Sequence, residues 1–239
     1  MLKYPSMATV ISERTTNDEP ESPLDSTESL ADLVARLGDI PLARIRLRPA
    51  PGMATVADAV WVNDRRRGLV ELVEGALIEK PMGIRESIVA GVLIELLRRF
   101  VVPRNLGLVS GESGMMQLFP GLIRMPDVAY ISWSQIPGQK IPAEPAPELA
   151  PSLAVEVLSV SNTRREMQRK RQEYFDAGVQ LVWMIDIDER TVTVYTSPTE
   201  STLLRSDAVL TGGDVLPGFE LPLATLFAEL DRRGAATAP

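Results

Sequence analysis

Three residues, Asp127, Glu156 and Lys170, are the best candidates for chemistry, partly because of what the rest of the chain lacks. The 239 residues include no His and no Cys. Imidazole bases, thiolate nucleophiles, disulfides, iron–sulfur clusters and His- or Cys-held zinc are therefore excluded. Acid–base and metal chemistry falls to Asp, Glu, Lys and Tyr. A carboxylate site prefers hard cations, Mg²⁺ first and then Mn²⁺ or Ca²⁺.

Glu156 interrupts LAVEVL (153–158), an otherwise apolar run with the pattern of a central strand. An unpaired carboxylate there would cost several kcal/mol, so a salt bridge, solvent at the strand end or a metal ion must balance it. Asp127 follows Pro126 at the start of another strand pattern, MPDVAYIS (125–132), a position where turn and cap residues are also common. If 127–132 pairs antiparallel with 153–158, Asp127 comes to lie beside Glu156.

Lys170 can reach the same level. Glu156 is three residues back from Ser159, about 10 Å at ~3.3 Å per strand residue. Lys170 is seven residues past Thr163, about 10 Å at ~1.5 Å per helical residue. On that helix Met167, Tyr174 and Phe175 define the sheet-facing arc, and Lys170 and Arg171 fall inside it or at its edge. The alternative is a lysine snorkelling along the helix flank.

Two carboxylates and a lysine at a sheet edge suit metal-assisted phosphodiester hydrolysis. The acids hold Mg²⁺, which binds the phosphate and lowers the pKa of its water, while the lysine orients that water and offsets charge developing on phosphorus. The run RREMQRKR (164–171) has five cations and one acid and would attract a polyanionic backbone through Arg164, Arg165, Arg169 and Arg171. The plainer reading of such a run is a solvated helix face. The overall charge of −7 weighs weakly against nucleic acid, but residues 1–30 supply six acids against two bases.

The elements that must position these residues follow from periodicity. Residues 1–28 are polar and acidic and read as a disordered tail. Residues 29–68 form a helical and extended segment, with a short amphipathic helix ending at Gly38 and another over 56–62. From 69 onward the pattern is mixed. LVELV (69–73) and ALIE (76–79) flank Glu74-Gly75 as a hairpin; Glu71 and Glu74 are within reach of the site, but a hairpin favours their facing solvent, which is the expectation. RESIVAGVLIELLRRFV (85–101) is apolar nearly all round, which predicts a helix buried in the core.

Strands are expected at 125–132, 153–159, 181–187 and 191–196, with a proline-rich surface loop over 137–151. The helix between the second and third starts at a capping box, Thr163 with Glu166, and ends at Ala177-Gly178, giving a right-handed βαβ crossover. GFELPLATLFAEL (218–230) reads as a closing turn and short helix, and Tyr174 and Trp183 read as core. The longest apolar run, Ile88 to Ile94, is too short for a membrane span, and the opening residues lack a secretory signal, so a cytoplasmic location is expected.

The succession PDVAYIS, LAVEVLS, the Lys170 helix and EYFDAGVQLVWMIDIDERTVTVY resembles the Uma-type restriction endonucleases of the PD-(D/E)XK nuclease superfamily, over roughly residues 70–230. The resemblance implies an α/β, restriction-endonuclease-like mixed β-sheet flanked by helices in a single domain, here 69–232. It further implies a Mg²⁺-dependent endonuclease, with Mn²⁺ as substitute, hydrolysing phosphodiester bonds in DNA. By resemblance, Asp127 takes the role of the PD aspartate and Glu156 that of the second acid, both metal ligands. Most superfamily members carry the lysine two residues after that acid, where this chain has Leu158; in the Uma-type family it has moved to the following helix, which matches Lys170.

Glu86 is the candidate for the additional acid that superfamily members place on the preceding helix, although helix first turns favour acids in any case. No helix-turn-helix or zinc finger suggests sequence specificity. Double-strand cleavage would suit a symmetric homodimer. The competing expectation is a catalytically weak or inactive nucleic-acid-binding or interaction module on the same fold, linked to mobile elements.

Overall fold

Short polar caps start the helices nearest the N-terminus. A computed structural model describes residues 29–65, 68–81 and 83–233; the tail expected at 1–28 lies outside the described residues. Helix α1 (Leu30–Arg36) begins at Ser29, whose hydroxyl accepts from the Asp32 N–H while the Asp32 carboxylate accepts from the Ser29 N–H. Helix α2 (Val56–Asp64) repeats this capping box with Thr55 and Asp58. Strands β1 (Val70–Val73) and β2 (Ala76–Glu79) then form the expected antiparallel hairpin. Its two turn residues, Glu74 and Gly75, have φ of 48° and 67°, as a tight two-residue connection requires. Gly75 is also short of room, since a Cβ there would lie 2.5 Å from the Gly52 backbone.

Helix α3 (Ile84–Val101) departs from expectation. Val89, Ala90, Leu93, Leu97 and Val101 are buried, whereas Ile84 and Ile88 are exposed. The helix has a sheet on one side only, so it buries one stripe rather than its whole circumference.

After it come β3 (Gly107–Gly111), β4 (Met116–Phe119), β5 (Leu122–Arg124), β6 (Val128–Ser132) and β7 (Leu153–Leu158). Helix α4 (Arg164–Asp176) leads to β8 (Leu181–Asp186), β9 (Thr191–Tyr195), β10 (Ser201–Arg205), β11 (Val209–Gly212), β12 (Leu216–Pro222) and α5 (Leu223–Ala228).

The central sheet has the order β10-β9-β8-β7-β6-β3. β7 and β8 pair in parallel through the α4 crossover, while β6 pairs antiparallel with β7, so the sheet is mixed as expected. Period-two alternation in β7 sends Leu153, Val155 and Val157 into the core shared with α3 and α5, and Ala154 toward Met167 and Tyr174 of α4. Glu156 is therefore on the α4 side.

A second sheet, β2-β1-β5-β4, packs α2 against Val70, Leu72 and Ile123, and α1 against Val73, Ala76 and Ile78. The strands β3–β5 and β10–β12 lie where no strand was expected. The closing turn expected from 218 is instead part of β12, which among the described residues pairs only with β11, an edge position that tolerates Pro217 and Pro222. Among the described residues no helix is long and apolar enough to cross a membrane.

Candidate active site

Asp127 precedes β6 by one residue. The register Val128↔Val155, Ala129↔Ala154 and Tyr130↔Leu153, continued one step, puts Asp127 across from Glu156. A hydrogen bond fixes that placement, with the Val157 N–H donating to Asp127 Oδ2 at 2.6 Å. From the other face, Lys170 brings Nζ to 3.4 Å from both Glu156 oxygens, and the Tyr174 hydroxyl donates to Glu156 Oε1 at 2.5 Å. The helix delivers both side chains because residues 170 and 174 are one turn apart on its buried face.

Two further groups join the cluster, one of them within reach of the site in the sequence but expected to face solvent. Glu71 was expected at solvent, but its side chain is 1% exposed and lies 3.1 Å from Lys170 Nζ. Its Oε2 is 2.7 Å from Arg124, and Oε1, which faces Lys170, also accepts from the Met125 N–H at 3.1 Å. The correction has a simple cause: all four residues of β1 are buried, because α1 and α4 cover the face that Glu71 shares with Val73. The signal was present, since Glu71 in LVELV interrupts an apolar run just as Glu156 does in LAVEVL. The other group is Lys80, one residue past β2, with Nζ 2.7 Å from Asp127 Oδ1 and a hydrogen bond to the Met125 carbonyl. Nothing local to its sequence signals this long-range pairing.

The charges are strongly perturbed. Burial alone would raise Glu71, but Lys170, Arg124 and Lys80 together hold its carboxyl down at about 2. Burial pushes Glu156 up; Lys170 opposes this and the neighbouring Asp127 charge adds to it, leaving the carboxyl raised. Burial would weaken the Lys170 ammonium, yet Glu156 and Glu71 keep it firmly protonated. Burial and the same two acids push the Tyr174 hydroxyl far up, so it stays a donor.

The remaining predicted residues divide. Glu86 lies in the first turn of α3, folded over Gly83, and among the described residues no hydrogen bond or ion pair joins it to Asp127, Glu156 or Lys170. Glu74 is at the surface, as expected, where it binds Arg36 and Arg169. The basic run is not a free cationic face. Arg169 is tied to Glu74 and Glu173 and donates to the Arg36 carbonyl, and Arg165 pairs with Asp39. Arg164 is exposed, and Arg171 stacks 4.5 Å over the Tyr195 ring. These two line a groove of about 440 Å³ with Asn162, Thr163 and Gln168. Glu166 of the same helix is buried in a two-point pair with Arg44, at 2.8 and 2.7 Å.

Among the described residues no group of three acids could hold a metal ion. The pair Asp127 and Glu156 nevertheless suits Mg²⁺, which keeps most of its water and binds through one or two carboxylates together with a substrate phosphate. The Asp127 charge that helps to raise Glu156 is the kind of repulsion a cation relieves.

A family model described as "Uma2: Putative restriction endonuclease" matches residues 61–224. A solved structure of a "putative nuclease belonging to DUF820" from Anabaena variabilis is similar, with 25% sequence identity and a TM-score of 0.62, over 69% of this chain and 92% of that one. No curated protein matches.

Proposed function

Because the chain belongs to the Uma2 family, we propose that it is a divalent-metal-dependent endonuclease that hydrolyses DNA phosphodiester bonds with Asp127, Glu156 and Lys170. The observation that carries this reading is the β6–β7 register that puts Asp127 opposite Glu156, with Lys170 Nζ 3.4 Å from both Glu156 oxygens.

In this reading Asp127 and Glu156 are the residues that hold Mg²⁺ or Mn²⁺. When bound, the ion supplies Lewis acidity to a phosphate oxygen and acidity to a coordinated water. The chain's own groups do the rest. Val157 N–H and Tyr174 OH fix the two carboxylates. Lys170 cannot serve as a base, because Glu156 and Glu71 hold its proton; it acts as a fixed positive donor that orients water and offsets charge on the phosphoryl oxygens. Arg164 and Arg171 offer the cationic approach for the backbone.

A second reading, a catalytically weak nucleic-acid-binding module, is favoured by one observation. The side chains of Asp127, Glu156 and Lys170 are only 13%, 5% and 2% exposed, and Asp127 is already paired with Lys80.

Nicking of supercoiled plasmid and cleavage of single-stranded DNA, with Mg²⁺, Mn²⁺ or EDTA, separates the two readings. The endonuclease predicts metal-dependent cleavage lost in Asp127→Asn and reduced at least about a hundredfold in Lys170→Met, the scale of a lost transition-state donor. Cleavage retained by both variants, or absent from the wild type, moves the assignment to the binding module.

A further inference from the structure

Lys80, which the sequence did not single out, bears directly on cation binding at Asp127. It follows β2, where its N–H donates to the Leu69 carbonyl at 2.8 Å, and its side chain is 3% exposed. The ammonium is 2.7 Å from Asp127 Oδ1 and also donates to the Met125 carbonyl. The other Asp127 oxygen, Oδ2, is engaged by the Val157 N–H. Oδ1 is therefore the atom Asp127 has to offer a cation, and an ammonium already holds it. Lys80 also acts on the neighbouring acids, being one of the positive charges that pull the Glu156 and Glu71 carboxyls downward.

Resting on the reading of Asp127 and Glu156 as a cation site, we infer that Lys80 is an internal counter-ion that occupies the cation's position at Asp127 Oδ1 and must be displaced before a divalent ion binds. The exchange is purely electrostatic: a single positive charge leaves Oδ1 as a double one arrives. A buried ammonium held by a carboxylate and a carbonyl is a strong competitor, because both of its partners lose a hydrogen bond when it goes. Asp127 thereby has a counter-charge without metal, at the expense of affinity for metal.

The test measures Mn²⁺ binding to the full chain by titration calorimetry, comparing the wild type, Lys80→Met, and Lys80→Met combined with Asp127→Asn. Lys80→Met is expected to bind Mn²⁺ at least about tenfold more tightly than the wild type, and the double variant is expected to lose that binding. The rise in Tm caused by saturating Mn²⁺ should likewise be larger in Lys80→Met. Lys80→Gln, which keeps a donor for the Met125 carbonyl without the charge, carries the same expectation should the methionine variant fail to fold. Wild-type binding that depends on Asp127, with no tightening in either Lys80 variant, overturns the counter-ion role and leaves the cation site standing. Absence of Mn²⁺ binding and of any Tm shift in every variant removes the cation site and the inference together.

Discussion

Lys170 joins two carboxylates from different sheets, Glu156 on the six-stranded sheet and Glu71 on the four-stranded one. Its partner Glu71 is depressed from 4.5 to about 2, so its ionised form is favoured by folding. That contribution is fully present above pH ~4.5 and is lost as pH falls toward about 2. Its size at neutral pH is on the order of 3 kcal/mol. Glu71→Gln is therefore expected to lower the stability measured by urea unfolding by roughly that amount at pH 7, with the gap to the wild type closing as pH falls below ~4.5. A gap that stays constant across that range would show that Glu71 does not carry the charge assigned to it.

The legibility of these residues differed for a physical reason. Glu156 and Asp127 could be located because one strand pairing relates them, and Lys170 because helix and strand rises are fixed lengths. Glu71 and Lys80 depend on contacts between the two sheets; the lone acid in LVELV marks Glu71 as unusual without naming its partners, and nothing in its neighbourhood marks Lys80.

Among elements, α4 matters most, because it carries Lys170 and Tyr174 on one face and exposed Arg164 at its start. Its first turn is held by the Thr163 hydroxyl, which accepts from the Glu166 N–H at 3.0 Å and donates to the Gly38 carbonyl. Thr163→Ala removes both bonds and should lower stability by about 1–2 kcal/mol in chemical denaturation. Lys170 is seven residues further on and anchored by its own ion pairs, so any DNA cleavage should survive in the folded fraction. This helix was legible from end to end, since the capping box and Ala177-Gly178 bracket it in the sequence. Helix α3 was legible in extent but not in burial, because apolar residues on its outer side, Ile84 and Ile88, do not reveal that no element covers them.

For the whole molecule, charge distribution outweighs net charge. Of the basic run, Arg165 is paired with Asp39 at the surface and Arg169 with Glu74 and Glu173, while Arg164 and Arg171 line the groove. Each phosphate contact contributes about 0.9 to the slope of log K against log salt concentration. Combined Arg164→Ala and Arg171→Ala should thus flatten that slope for duplex DNA by about 2. Arg169→Ala should instead chiefly lower folding stability, because it strips partners from Glu74 and Glu173. A binding assay at several salt concentrations distinguishes the two effects.

The pairing of Arg44 with Glu166 sets a limit that the family match does not. The match begins at residue 61, yet the guanidinium that neutralises a buried acid on α4 comes from residue 44, upstream of it. A chain cut at residue 61 would keep every matched residue while taking from Glu166 both its guanidinium partner and the Gly38 backbone packed against the start of α4. The smallest self-sufficient piece of this protein is therefore longer than the piece that reveals its kinship.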